Sequence, residues 1–319
     1  MKLKTICVLG GTGFVGHHLS HRLVELGYRV RMLVRHRERH RDLLVLPTLD
    51  LVEADIHNLR VLAEQFIGCD AIINLVGILN EQGHDGSGFR AAHVDLPGKI
   101  VRACLACGIE RVLHMSALNA HARTAPSVYL RTKGAGEDLL HAAPDLHVTS
   151  FRPSVIFGPG DSFINRFATL LRRIPLIFPL ACPTARLAPV YVEDVVEAFV
   201  HALQDFHTYG QRYDLCGPQV YTLQQLVEYT ARVLGMKRRV LGLSDRLSRL
   251  QAALLEYFPG KPFSRDNYLS LRMDSVCQEG FPAALHITPT ALEAVVPSYL
   301  AHSGSKARYF TYRRHANRS

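Results

Sequence analysis

Two groups of residues in this 319-residue chain have the types and spacing that chemistry needs. The first is Gly10-Gly11-Thr12-Gly13-Phe14-Val15-Gly16. It follows the apolar run Ile6 to Leu9 and opens a helical pattern from Phe14 onward. Glycines at 10, 13 and 16 would allow a tight turn, a close backbone approach to a ligand, and close packing of helix on strand. A helix start offers unpaired N–H groups and the positive end of the dipole, which suits a pyrophosphate. The loop therefore predicts a bound dinucleotide, contacted by Gly10, Thr12, Gly13, Phe14, Val15 and Gly16.

The second group is Tyr129 and Lys133, four residues apart and so on one face of a helix. A free phenol titrates near about 10 and is a poor acid or base at neutral pH. A neighbouring ammonium is expected to favour the phenolate and bring it into use. Such a pair also arises by chance on surfaces, and its place in the chain gives it meaning: it follows the fifth strand of a Gly-loop fold. A third residue, Arg35, ends the second strand. An acid at this point suits the ribose hydroxyls of NAD, whereas an arginine accommodates the extra phosphate of NADP. NADP(H) is the expected cofactor and NAD(H) the alternative. The run Arg35 to Arg41 as a whole reads as a solvated charged loop.

The elements that must position these residues alternate. Strands are expected at 6–9, 29–34, 49–52, 71–77 and 111–116, with helices at 14–26, 59–66 and 89–107 between them. On the second strand Val30, Met32 and Val34 share one face, and 71–77 is a continuous apolar run of the kind buried on both sides. Short joints between alternating strands and helices predict an α/β fold, a doubly wound parallel sheet with helices on both faces and a smaller mixed C-terminal lobe. The dinucleotide domain is assigned to 1–160 with a later contribution from about 186–217, and the smaller lobe to 161–185 and 218–300. Val76 and Gly77, at the end of the fourth strand, should border the cofactor ribose. In the small lobe, Leu247, Leu250, Leu254, Leu255 and Phe258 form an apolar side. It reads as a core or lobe-covering helix, with a docking surface for a lipid, quinone or protein partner as the alternative.

Composition sets the outer bounds. Basic residues number 37 against 28 acidic, a formal charge of +9 that permits a phosphorylated cofactor, an anionic membrane or nucleic acid. No nucleic-acid reader motif accompanies it, so nucleic acid is not an expected partner. Seven cysteines, an odd number, read as reduced thiols. Cys104 and Cys107 form a C-x-x-C within a helical pattern and lack a second pair, so they read as small helix residues, and no metal is expected. No apolar run is long enough to span a bilayer. The chain enters its first strand at once, which leads to the expectation of a cytoplasmic protein, or one peripheral on the cytoplasmic membrane face. The basic tail 301–319 reads as disordered.

Taken together, Gly10, Gly13 and Gly16, then Asp55, Tyr129 with Lys133, Arg152-Pro153, Gly158-Pro159-Gly160-Asp161 and Pro189 to Val195 resemble the extended or atypical short-chain dehydrogenase/reductases. The segments 127–137, 151–167 and 186–195 are most similar to the NAD(P)H-binding accessory subunit of respiratory complex I and its bacterial relatives. The resemblance implies that Tyr129 is the acid/base and that Lys133 holds the nicotinamide ribose. It places Asp55, with Ile56 beside it, at the adenine, although Asp55 serves equally as an N-cap for helix 59–66. It sets Pro153, Ser154 and Val155 by the nicotinamide, and Asn165 and Arg186 at the substrate. It further implies a cofactor-holding, structural or regulatory role and association with a membrane respiratory complex. An active oxidoreductase, epimerase or dehydratase on a hydrophobic or sugar-nucleotide-like carbonyl is the alternative. One departure stands out. Active relatives end the fifth strand in a hydroxyl residue that polarises the substrate carbonyl; matched strand for strand, Ala117 takes that position here, and with the register shifted by one residue Ser116 is the catalytic candidate.

Overall fold

The computed structural model describes residues 4–300, except Gln82, His84, Pro175, Pro259 and Gly260; the basic tail assigned to 301–319 lies outside the described residues. The first half runs β1 (Thr5–Leu9), α1 (Phe14–Glu25), β2 (Arg29–Val34), β3 (Leu49–Glu53), α2 (Leu59–Phe66), β4 (Ala71–Asn74), α3 (Ser87–Arg90), α4 (Leu96–Cys107), β5 (Arg111–Met115), α5 (Val128–His141) and β6 (His147–Pro153). It continues through β7 (Ile156–Phe157), α6 (Ile164–Arg173), β8 (Ile177–Leu180), β9 (Arg186–Leu187), β10 (Val190–Tyr191), α7 (Val192–Gln204) and β11 (Arg212–Leu215). Last come β12 (Tyr221–Thr222), α8 (Leu223–Val233), β13 (Arg239–Gly242), α9 (Asp245–Leu255), α10 (Arg265–Leu271) and α11 (Leu292–Leu300).

Seven strands form one parallel sheet in the order β11-β6-β5-β4-β1-β2-β3. Strand order reverses between β1 and β4, so the crevice beyond their C-terminal ends is the topological switch point where such sheets bind ligands. Successive strand side chains point to opposite faces, and both faces are apolar. Ile6 and Val8 of β1, with Val30, Met32 and Val34 of β2, pack under α1 and α7 against Leu19, Leu23, Val195 and Phe199. Cys7, Leu9, Leu33 and Ile72 face the other way, under α2, α4 and α5, against Leu62, Phe66, Ile100 and Leu140. Fully burying one such leucine contributes about 1.5–3 kcal/mol. A separate core in the small lobe joins α6, α8 and α11 through Ile164, Leu171, Leu226, Val227 and Val296.

Three expectations need correction. The long helix expected over 89–107 is interrupted: a π-helical turn, Ala91–Asp95, lies between α3 and α4. Pro97 has no N–H to give the His93 carbonyl, and that carbonyl instead faces Gly136 of α5, where any Cβ would overlap it. The cysteines are not all free, because Cys216 and Cys277 are joined in a disulfide with Cα atoms 5.9 Å apart, leaving five thiols. Finally, the apolar side of α9 does not face the core. Ser248 and Ala252 are its buried residues, and Leu247, Leu250 and Leu254 point outward. Among the described residues no helix is long and apolar enough to cross a membrane.

Candidate functional site

Gly10, between β1 and α1, has φ +77°, and a Cβ there would lie 2.9 Å from the Leu75 carbonyl carbon and the Val76 nitrogen. A Cβ on Gly16 would lie 2.5 Å from the Gly11 Cα. These contacts pin the loop against the end of β4 and leave a cradle only glycines can line. At the start of α1, Gly13 gives no side-chain cap and the first turn holds no acid. Its amides are thus free for an anion, and the cradle fits the pyrophosphate of a dinucleotide. A cavity of about 640 Å³ opens on the α1 side of this loop, lined by Thr12, Gly13, Phe14, His17, His18 and Glu193. It borders the pyrophosphate end of the site, and Tyr129 is not in its wall.

Asp55 follows β3 and is exposed, its carboxylate accepting the His57 amide at 2.9 Å. The N-cap of α2 is Asn58, which accepts from Arg60 and Val61. That removes capping as the role of Asp55; Ile56 beside it is half-buried against the α2 core. Arg35 directly follows β2 and is exposed, with no ion pair among the described residues.

Lys133, on α5, is buried and donates to the Met115 carbonyl at 2.7 Å and the Val76 carbonyl at 3.4 Å. Its Nζ would lie 3.1 Å from a Cβ on Gly77. Lys133 thus stands directly beneath Val76 and Gly77, the expected ribose edge. Burial pulls its pKa down to about 8, against an upward pull from Glu137. Tyr129 does not titrate as expected. Burial, and then the negative charge of Asp266, push the phenol up to about 12, and Lys133 does not offset this.

Strand alternation resolves the register at the end of β5. The Ser116 hydroxyl is buried on the Glu137 side, near enough to help hold that carboxyl low but without a hydrogen bond of good geometry. Ala117 packs in a cluster with Leu130 and the Tyr129 ring. The side chain at 117 is therefore a methyl within the cluster that Tyr129 packs against, while the Ser116 hydroxyl lies on the Glu137 side. Glu137 itself is fully buried between Arg152, which donates to it at 2.6 Å, and Arg212 at 2.6 Å. This ion triad, rather than the nicotinamide edge, takes the Arg152 of the Arg-Pro motif.

Three features escaped the sequence reading. His93 is buried, accepts the Ile78 amide at Nε2 (3.1 Å), and so carries its proton on Nδ1, which faces the Thr132 hydroxyl at 3.0 Å. Its ring meets the Tyr129 ring edge-on at 5.5 Å. Burial, then Lys133, holds it neutral with a pKa of about 3. Asp266 of α10 accepts the Val128 and Tyr129 amides at 2.7 and 3.1 Å, capping α5 from the small lobe. Segment 273–277 straps the front of the site. Met273 packs on the Tyr129 cluster, Asp274 pairs with Arg186 at 3.7 Å, Ser275 accepts from Ser154, and Cys277 carries the disulfide. None of these has a local motif; each depends on a contact between segments far apart in sequence.

The remaining candidates fall around this frame. Pro153 closes β6 and is buried, its carbonyl accepting the Leu118 amide; the Val155 carbonyl accepts the Val190 amide. The buried Nδ2 of Asn165, at the start of α6, donates to no partner among the described residues. Arg186 is exposed on β9 and is held by Asp274 near a second cavity of about 400 Å³. Cys104 and Cys107 both lie on α4, with the Cys107 thiol on the Ala63 carbonyl.

Comparison with known proteins agrees with this frame. Residues 6–216 match the NAD dependent epimerase/dehydratase family. The subunit of Mus musculus named NADH dehydrogenase (ubiquinone) 1 alpha subcomplex subunit 9, mitochondrial, is 32% identical over 242 residues, 73% of this chain and 61% of that protein. The chain thus spans less than two thirds of that relative. The ceramide reductase of Caulobacter vibrioides is 30% identical over 253 residues, 75% of this chain and 74% of the relative. Among solved structures, that of gox2253 superposes with a TM-score of 0.74 at 20% identity, covering 96% of this chain and 99% of the other. MoeE5, solved with UDP-glucose and NAD, gives 0.63 at 21% identity over 76% and 86%. These two likenesses speak for the fold. By its family match, its identity to these relatives and its switch-point glycine cradle, the chain belongs to the NAD dependent epimerase/dehydratase family of extended short-chain dehydrogenase/reductases.

Proposed function

We propose that this chain binds NADP(H) and keeps it as a structural or regulatory cofactor, with little turnover. One observation carries the reading: Ala117 lies in the cluster against which Tyr129 packs, where a carbonyl-polarising hydroxyl would stand in an active enzyme. Loss of one such donor commonly costs about a hundredfold or more in rate. The phenol held near 12 acts in the same direction, because little phenolate forms at neutral pH. The preference for NADP rests on Arg35, whose exposed guanidinium stands free at the end of β2. Attachment to a respiratory membrane complex is supported by the likeness to the mouse subunit.

Purification without added cofactor, followed by mass and absorbance analysis of whatever is released, tests this directly. NADPH should be found, or should bind at least tenfold tighter than NADH, and Arg35→Glu should reverse the order. Failure to bind either dinucleotide would sink the reading.

The ceramide reductase likeness favours a second reading, reduction of a keto-lipid. Bound NADPH would supply the hydride. Tyr129 would donate its phenolic proton to the carbonyl oxygen, and Lys133 would hold the ribose edge under Val76 and Gly77. NADPH consumption with an oxo-ceramide that disappears in Tyr129→Phe would establish this second reading over the first.

A further inference from the structure

Helix α9 has its amphipathicity reversed. The residues it buries are small or polar. Ser248 accepts the Cys182 amide at 3.1 Å, and Ala252 is fully buried beside it. The residues it exposes are large and apolar: Leu247, Leu250 and Leu254, followed by Tyr257 and Phe258, are 50–73% exposed. Gln251 donates to the Pro179 carbonyl, which sets the helix next to β8 and β13, where Ile177 and Leu241 are also exposed. A contiguous outward apolar surface of this kind signals an interaction site.

The charges around it say what kind. Arg246 and Arg249 flank the leucines and are exposed, with no ion pair among the described residues. Exposed Lys237 and Arg239 lie at β13. Between 237 and 249 the chain carries five basic residues and one acid. That acid, Asp245, is engaged by the Tyr268 hydroxyl at 2.7 Å, and Glu256, which caps the C-terminal end of the helix, faces Arg265 at 3.5 Å. The open face of α9 therefore presents leucines and arginines, with two exposed aromatics directly after it, the combination that lies in the interface of a membrane with its apolar residues among the acyl chains and its cations at anionic head groups.

We infer that α9 is a membrane-docking surface, by which the small lobe rests in the plane of an anionic bilayer. The inference stands apart from the question of turnover at Tyr129. Its occupant is a lipid surface because the cationic rim complements anionic head groups, which an apolar protein partner or a second copy of this basic chain would not supply.

The test is co-sedimentation of the full chain with vesicles of phosphatidylcholine, with and without phosphatidylglycerol. The wild type should be retained by the anionic vesicles and weakly by neutral ones. Leu250→Glu/Leu254→Glu should lower retention about tenfold or more, and Arg246→Glu/Arg249→Glu should remove the preference for phosphatidylglycerol. Unchanged dinucleotide titrations would show that both variants are folded. If the leucine variant is retained like wild type, another basic surface, such as the tail at 301–319, carries the binding and the proposal fails. It also fails if wild type ignores the vesicles, or if sedimentation velocity shows a dimer that the leucine variant abolishes.

Discussion

Asp266 caps the amide of Tyr129 from another lobe: its carboxylate accepts the Val128 and Tyr129 N–H groups at 2.7 and 3.1 Å. The first turn of α5, which carries the site's phenol, is therefore anchored by the last third of the chain. Ser127 contributes the ordinary cap, accepting the Leu130 amide, and Ser270 donates to the same Ser127 hydroxyl at 2.8 Å. Asp266→Ala should destabilise the fold by about 0.5–2 kcal/mol, the usual range for losing a cap. Asp266→Asn, which keeps one of the two acceptor oxygens, should recover part of this. Urea midpoints of the two variants check it, and equal losses would argue against capping.

Lys133 and Tyr129 should give stability opposite slopes with pH. Lys133 titrates at about 8 in the fold against about 10.4 when unfolded, so the unfolded chain binds the extra proton between these values. Stability contributed through Lys133 thus rises with pH over that window. Tyr129 has its folded pKa raised to about 12 from about 10. Its contribution is complete below the unfolded pKa and is lost as pH climbs through the folded one. Both are read as differences in urea midpoint between wild type and variant from pH 7 to above pH 11, because the buried thiols of Cys104 and Cys182, raised to about 12 and about 11, add a fall of their own over this range. Lys133→Met should remove the rise and Tyr129→Phe should reduce the fall.

Two glycine replacements should separate cofactor binding from helix packing. Gly16→Ala places a methyl 2.5 Å from the Gly11 Cα and should weaken dinucleotide binding at least tenfold. Gly136→Ala places one on the His93 carbonyl, between helices and outside the glycine loop, and should cost about 1–3 kcal/mol of stability. Isothermal titration and thermal melts on both proteins distinguish the effects.

The parts legible in the sequence were those with a local period. Val30, Met32 and Val34 alternate into one core because strand side chains repeat every two residues. Gly10 and Gly16 are forced by contacts within a few residues of the turn, or with the strand beside it. Periodicity also finds α9, but it says only that one side is apolar, not which side the protein covers. Here the smaller residues, Ser248 and Ala252, fit under the helix. Spacing places Tyr129 and Lys133 on one face without saying where the ammonium points, and the carbonyls at Met115 and Val76 claim it. Parity of the cysteine count cannot show that two thiols 61 residues apart meet.

That meeting is itself testable. Reduction, or Cys277→Ser, should lower stability by about 2–4 kcal/mol, the typical value for opening a long loop. Thiol titration of the oxidised, denatured chain should find five groups, from Cys7, Cys69, Cys104, Cys107 and Cys182. Seven would show that the disulfide is absent.

The strap over Tyr129 also bears on how this chain can be divided. The family match stops at residue 216, yet Asp266, Met273 and Cys277 all arrive later. A fragment ending there would retain the glycine cradle, Lys133 and every strand of the large sheet. It would keep the Ser127 cap on α5 but lack the Asp266 carboxylate that adds to it, Met273 from the Tyr129 cluster, and one half of the disulfide. Dinucleotide recognition and phenol placement are therefore encoded in different stretches of polypeptide. Changes in the later stretch could reshape what meets the cofactor without disturbing the part that grips it.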